Sequence, residues 1–135
     1  MLPDSFSIDL ILRHPWRSTR SIAKALSVKP QTMASKRGTR RTYFKAVLQS
    51  GHSPAKFQLA LRQVVRFLRK NEKFWEKCLA EKGSGEIVFN HTIFIFPQTE
   101  NGDKCFELSL TSVFCEHLSA SRMGLKIQGW VKKSS

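Results

Sequence analysis

Between Leu10 and Asn71 the chain contains neither aspartate nor glutamate. The gap leaves no pair of carboxylates there for acid–base hydrolysis. It also rules out a charge-balanced helical surface, which would intersperse glutamates among its cations. Cysteine is scarce: Cys78, Cys105 and Cys115 are odd in number and widely spread. They do not form a disulfide framework, and a reducing, cytoplasmic location suits them. No stretch approaches the roughly 20 apolar residues of a membrane span. Met1 to Asp9 holds two acids and no base, which is not the pattern of a signal peptide. No glycine-rich phosphate loop, nucleophile elbow or zinc-protease motif is present. Cys115-Glu116-His117 has no second Cys/His pair at zinc-ligand spacing. Cys115 reads as a buried structural thiol, the alternative being a nucleophile with His91 or His117 as base. His91, on the apolar side of a strand, reads as a satisfied core residue. The expectation is a chain with no catalytic residues, metal or cofactor, and therefore no enzyme.

What the acid-free stretch does hold is cations. It carries 15 of the chain's 23 lysines and arginines, while the remainder has 8 against all 10 acids. The net charge of +13 is thus made by one half of the chain. Such an excess costs stability by self-repulsion and suits an anionic partner. At 135 residues, with 41% hydrophobic content and ten Phe, the chain is expected to fold as one domain.

In chain order, Phe6, Ile8, Leu10 and Leu12 alternate with polar residues and Ile11, which predicts a central strand over Ser5–Arg13. Ser18 or Thr19 caps a short helix to Leu26. A basic connection from Ser27 to Thr42 precedes a strand over Tyr43–Gln49. Ser53-Pro54 starts a helix to Lys70, continuing past a break near Asn71 towards Lys82. Phe57, Leu61, Val64, Leu68 and Trp75 share one arc of it, and Arg62, Arg66, Arg69 and Lys73 a second, roughly 140° away. Strands follow over Glu86–Phe96 and Lys104–Leu110, with Asn101-Gly102 as the turn between them. Thr111 or Ser112 caps a helix stopped by Gly124, and Leu125, Ile127 and Val131 point inward from a last strand. Residues 132–135 are expected to fray. The order β-α-β-α-β-β-α-β defines an α+β sandwich over 1–135, with helices on a mostly antiparallel sheet.

Ile22 to Met33 resembles the opening of a helix-turn-helix, but Ser27 stands at the usual glycine and Lys36 where the second helix needs an apolar residue. Lys36, Arg37, Arg40 and Arg41, followed by Tyr43-Phe44, suit phosphates with stacked bases or carboxylates on a protein. The bland reading of the same cluster is a solvated loop.

Two segments together resemble a family. Phe6 to Arg41 runs strand, His14-Pro15, short helix, Pro30, Gly38 and Arg41. Glu107 to Val131 runs Leu-Ser-Leu, helix, then Gly124-Leu125-Lys126-Ile127. This is similar to the bacterial domain-of-unknown-function family four-two-seven-nine. Ser27 departs from that family's usual glycine. The resemblance implies an α+β fold related to ferredoxin-like sandwiches and no enzyme activity. Small bacterial proteins of this kind are often immunity partners in toxin systems. The expected function is a non-catalytic module that binds an acidic protein, such as a cognate toxin, through Arg62, Arg66, Arg69 and Lys73 with Lys36, Arg37, Arg40 and Arg41. Nucleic-acid binding by the same surface is the alternative. Membrane association lacks a helix whose apolar face is free.

Overall fold

The computed structural model describes residues 5–31, 42–53, 55–95 and 110–133, with the backbone alone for 91–95 and 130–133. Four strands form one sheet: β1 (Ser5–His14), β2 (Thr42–Gly51), β3 (Ser84–Ile95) and β4 (Gly124–Lys133), in the spatial order β2-β1-β3-β4. β1 pairs antiparallel with both neighbours, and β3 pairs parallel with β4. The parallel pair follows from its connection, which carries the helix α4 (Ser112–Ala120) and is long enough to cross over. The other helices are α1 (Thr19–Leu26), α2 (Ala55–Lys70) and α3 (Glu72–Ala80). The α+β class and element order are as expected, the second helix being split at Asn71. The strand expected over Lys104–Leu110 lies outside the described residues, apart from Leu110.

One face of the sheet holds the core. Phe6, Ile8, Leu10 and Leu12 meet Phe44, Ala46, Ile87 and Phe89, and all four helices add to this cluster, including Ile22, Phe57, Trp75 and Phe114. β1 is central and buried on both faces, since Asp9 and Ile11 are also covered. Asn90 Nδ2 donates to Asp9 Oδ2 at 2.6 Å, and Lys45 Nζ stands 3.9 Å away. Burial nevertheless raises the Asp9 carboxyl above its ordinary value, against Lys45 and the hydrogen bonds.

At Asn71 the last turn of α2 is closed by side chains. Asn71 Nδ2 donates to the Phe67 carbonyl and the Trp75 indole N–H to the Leu68 carbonyl, both at 2.9 Å. These bonds satisfy carbonyls that a helix end leaves open, and α3 begins at the next residue, Glu72.

Gly124 does not stop α4. Three helices close in the same way, each with a non-glycine residue in the left-handed region: Ser27 (φ 54°) after α1, Lys82 (φ 64°) after α3 and Arg122 (φ 51°) after α4. In each, the next amide reaches five residues back: Val28 to Ala23 O at 3.1 Å, Gly83 to Cys78 O at 2.7 Å, Met123 to Leu118 O at 3.1 Å. These are Schellman closures, for which glycine is the usual left-handed residue. A left-handed L-residue costs roughly 1–2 kcal/mol, and glycine's unfolded-state freedom offsets about 0.4–1 of the relief. Ser27→Gly, Lys82→Gly and Arg122→Gly are therefore each expected to stabilise the protein by roughly 0.5–1 kcal/mol, read as a higher denaturant midpoint.

Two further differences concern β4. Leu125 and Ile127 stand beside Ile87 and Phe89 in the register, on the core side, yet they are 40% and 47% exposed. Among the described residues the helices do not extend over this outer strand. Lys132 and Lys133, expected to fray, pair with Phe94 and Ile95.

Candidate interaction surface

The outer side of α2 is built by a period of 3.6. Phe57, Leu61, Val64 and Leu68 are buried against the sheet, and Arg62, Arg66 and Arg69 stand exposed on the opposite side. Lys73 extends the row onto α3 and is exposed. From Arg62 to Lys73 the row spans about 16 Å at 1.5 Å per residue. Leu59, 55% exposed, lies on the same side one turn before Arg62. Neighbouring cations in the row repel by a few tenths of a kcal/mol each.

Elsewhere the protein's own acids meet its cations. Arg13 faces Glu86 at 3.7 Å, Arg17 meets Glu81 at 2.7 Å and Lys45 faces Asp9. Among the described residues none of Arg62, Arg66, Arg69 and Lys73 has such a partner. The structure thus brings four of the eight expected site residues into one row. Lys36, Arg37, Arg40 and Arg41 lie outside the described residues.

The aromatic residues expected beside that cluster separate. Phe44 is fully buried in the core, while Tyr43 points to the opposite face of the sheet, 40% exposed, with the Arg13 guanidinium 5.4 Å from its ring centre. Tyr43 and the α2 row are on opposite sides of the sheet.

Sequence reading missed a cluster where β1 meets α3. His14 is buried, and its Nδ1 accepts the backbone N–H groups of Trp16 at 3.2 Å and Arg17 at 2.9 Å. The ring proton therefore sits on Nε2, which stands 3.4 Å from Glu81 Oε2. Arg17 grips the same carboxylate through Nε and Nη2 and lies over the Trp16 and Phe74 rings. Gly83 must be glycine here, because a Cβ would come within 2.9 Å of the Cys78 carbonyl oxygen and 3.0 Å of His14 Cδ2. The sequence signal was weak: His14-Pro15 reads only as a strand end, and its partner Glu81 is remote.

The cluster is not a nucleophilic site. Burial pushes the Cys78 thiol up to about 11, so it is a neutral thiol at neutral pH. Cys115 corrects the expectation of a buried thiol: it is exposed on α4. The backbone register sets His91 opposite Phe6. Among the described residues no group of three or more His, Cys, Asp or Glu could hold a metal ion.

Burial lowers the His14 pKa below its ordinary 6.5, Glu81 partly opposing. The unfolded chain then takes up this proton first as the solution is acidified. Stability is expected to be level above about pH 6.5 and to fall as pH drops from there towards the folded value. Glu81, lowered by its hydrogen bond to Arg17, adds a further loss below its ordinary 4.5. Denaturant midpoints measured across this range should show the first step, and His14→Gln should flatten it.

No family model matches the chain, and no curated protein or solved structure matches it. The class the structure defines is an α+β domain with its described helices layered on one face of a four-stranded sheet. No helix among the described residues is long and apolar enough to cross a membrane.

Proposed function

We propose that this chain is a non-catalytic protein-binding module of immunity type, which works in the cytoplasm and neutralises an acidic partner or toxin domain. Arg62, Arg66, Arg69 and Lys73 dock on the partner's carboxylates. The observation that carries this reading is the row itself: exposed, about 16 Å long, and with none of its four cations in an ion pair among the described residues. Arginine's planar fork matches a carboxylate with two parallel hydrogen bonds. The resemblance to family four-two-seven-nine agrees with a role that needs no catalytic residues.

Nucleic acid remains the second reading, favoured by the same row, since phosphate and carboxylate present similar charge. The burial of Phe44 and the placement of Tyr43 on the other side of the sheet weigh against it. A strand held by the row cannot also stack its bases on either ring.

Co-purification from the native cell, analysed for both protein and nucleic acid, tests the choice. An acidic protein whose association slows with added salt is expected. Recovery of RNA or DNA alone overturns it.

A further inference from the structure

A cleft of about 270 Å³ lies between α3 and α4, beside Arg69 of the cation row. It is smaller than the roughly 300–1,000 Å³ of typical small-molecule pockets. Its size suits one long side chain. Leu68, Trp75 and Leu79 supply apolar lining, and Glu72 and Glu76 line it from α3.

These two glutamates differ from the two that follow. Glu81 is held by Arg17, and Glu86 faces Arg13. Among the described residues Glu72 and Glu76 have no cation within ion-pair distance, although Arg69 and His117 also border the cleft. Spaced four apart on one helix, the two carboxylates repel each other weakly. A protein with a net charge of +13 thus keeps beside its cation row two carboxylates that make no ion pair among the described residues.

We infer that this cleft receives a lysine or arginine side chain of the partner, which presents carboxylates to the row and one basic anchor next to them. The inference rests on reading the row as the partner's docking site. The anchor's methylene stem would lie along the apolar lining, and its charged head would meet Glu72 and Glu76. The alternation of signs also supplies specificity. A phosphate polymer is attracted by the row but repelled at the cleft, and it has no cation to place there. A protein can match both.

The test uses side-chain probes on the full chain, followed by amide and indole NMR shifts. Nα-acetyl-arginine amide should shift the Trp75 indole and the Leu79 and Ala120 amides saturably at millimolar concentration. Nα-acetyl-norleucine amide should act roughly tenfold more weakly or worse. The Glu72→Gln/Glu76→Gln variant changes exposed residues only, so it should fold and lose the arginine response. Equal response to both probes, no response to arginine, or an unchanged response in the variant overturns the inference. A parallel titration with a short poly-L-glutamate peptide reads the row alone. If that peptide binds at Arg62 to Lys73 while the cleft ignores arginine, the inference fails and the docking reading stands. If the peptide does not bind there, the docking reading itself fails.

Discussion

The variant carrying Arg62→Glu, Arg66→Glu and Arg69→Glu is expected to fold like the parent and to lose its partner. Each exchange removes a positive charge and adds a negative one, so the net charge falls by six, from +13 to +7. Electrostatic steering contributes roughly 10–10³ to association rates. Reversing the sign of the steering surface should cost the larger part of that range at low ionic strength, and progressively less as salt screens both proteins. The fold has little reason to object. All three side chains are exposed and make no ion pair among the described residues. The exchanges at Arg66 and Arg69 also put a carboxylate four residues before Lys70 and another four before Lys73, each new pair contributing about 0.2–0.5 kcal/mol to the helix. Unchanged or slightly higher stability with abolished association is the expected combination. A variant that unfolds would show that the row is structural. One that binds as before would show that the partner docks elsewhere.

Phe57→Ala carries the largest expected effect on stability. Phe57 is 1% exposed and fixes α2 to the sheet, its ring edge-on to Phe6 at 5.3 Å and set against Phe89 at 5.8 Å. Removing the ring forfeits its transfer free energy and leaves a cavity that β1 and β3 cannot close, because both are held in the ladder. The cost is expected to be about 3–5 kcal/mol, a large share of the roughly 5–15 kcal/mol that holds a domain together. Leu59→Ala, two residues away but 55% exposed, should stay within about 0.5 kcal/mol. Urea unfolding of the two variants compares them directly. Equal midpoints would mean that the face of α2 assigned to the core is wrong.

The parts of this fold that are legible in the sequence are those that one element decides alone. The two arcs of α2 follow from its helical period, and the burial of Phe57, Val64 and Leu68 against the exposure of Arg62 and Arg66 agrees with them. Ile11 on the second face of β1 correctly marked a central strand. Ser18 and Thr111 cap their helices, accepting from Ser21 N and Phe114 N. What escaped the sequence depends on a second element. Lys82 and Arg122 occupy left-handed positions because the chain must turn back into β3 and β4 there, and glycine's preference for such positions pointed one or two residues too far on. Leu125 and Ile127 have the alternation of an inward face, but alternation does not say how far the helix layer reaches. His14 and Arg17 find Glu81 across 64 residues or more of chain, a distance no local pattern spans. Of the site, the α2 row was readable, and the acidic cleft beside it was not, because its far wall comes from α4.

The central claim is that the outer side of α2 and the start of α3 receive an anionic protein surface. Amide shift mapping of the full chain, titrated at low salt with a short poly-L-glutamate peptide, tests it most directly. The account predicts saturable shifts centred on residues 59–73, erased by the triple arginine-to-glutamate variant. Shifts centred instead on Arg20 and Lys24 of α1 or Lys126 of β4, or spread evenly over every exposed cation, would contradict it.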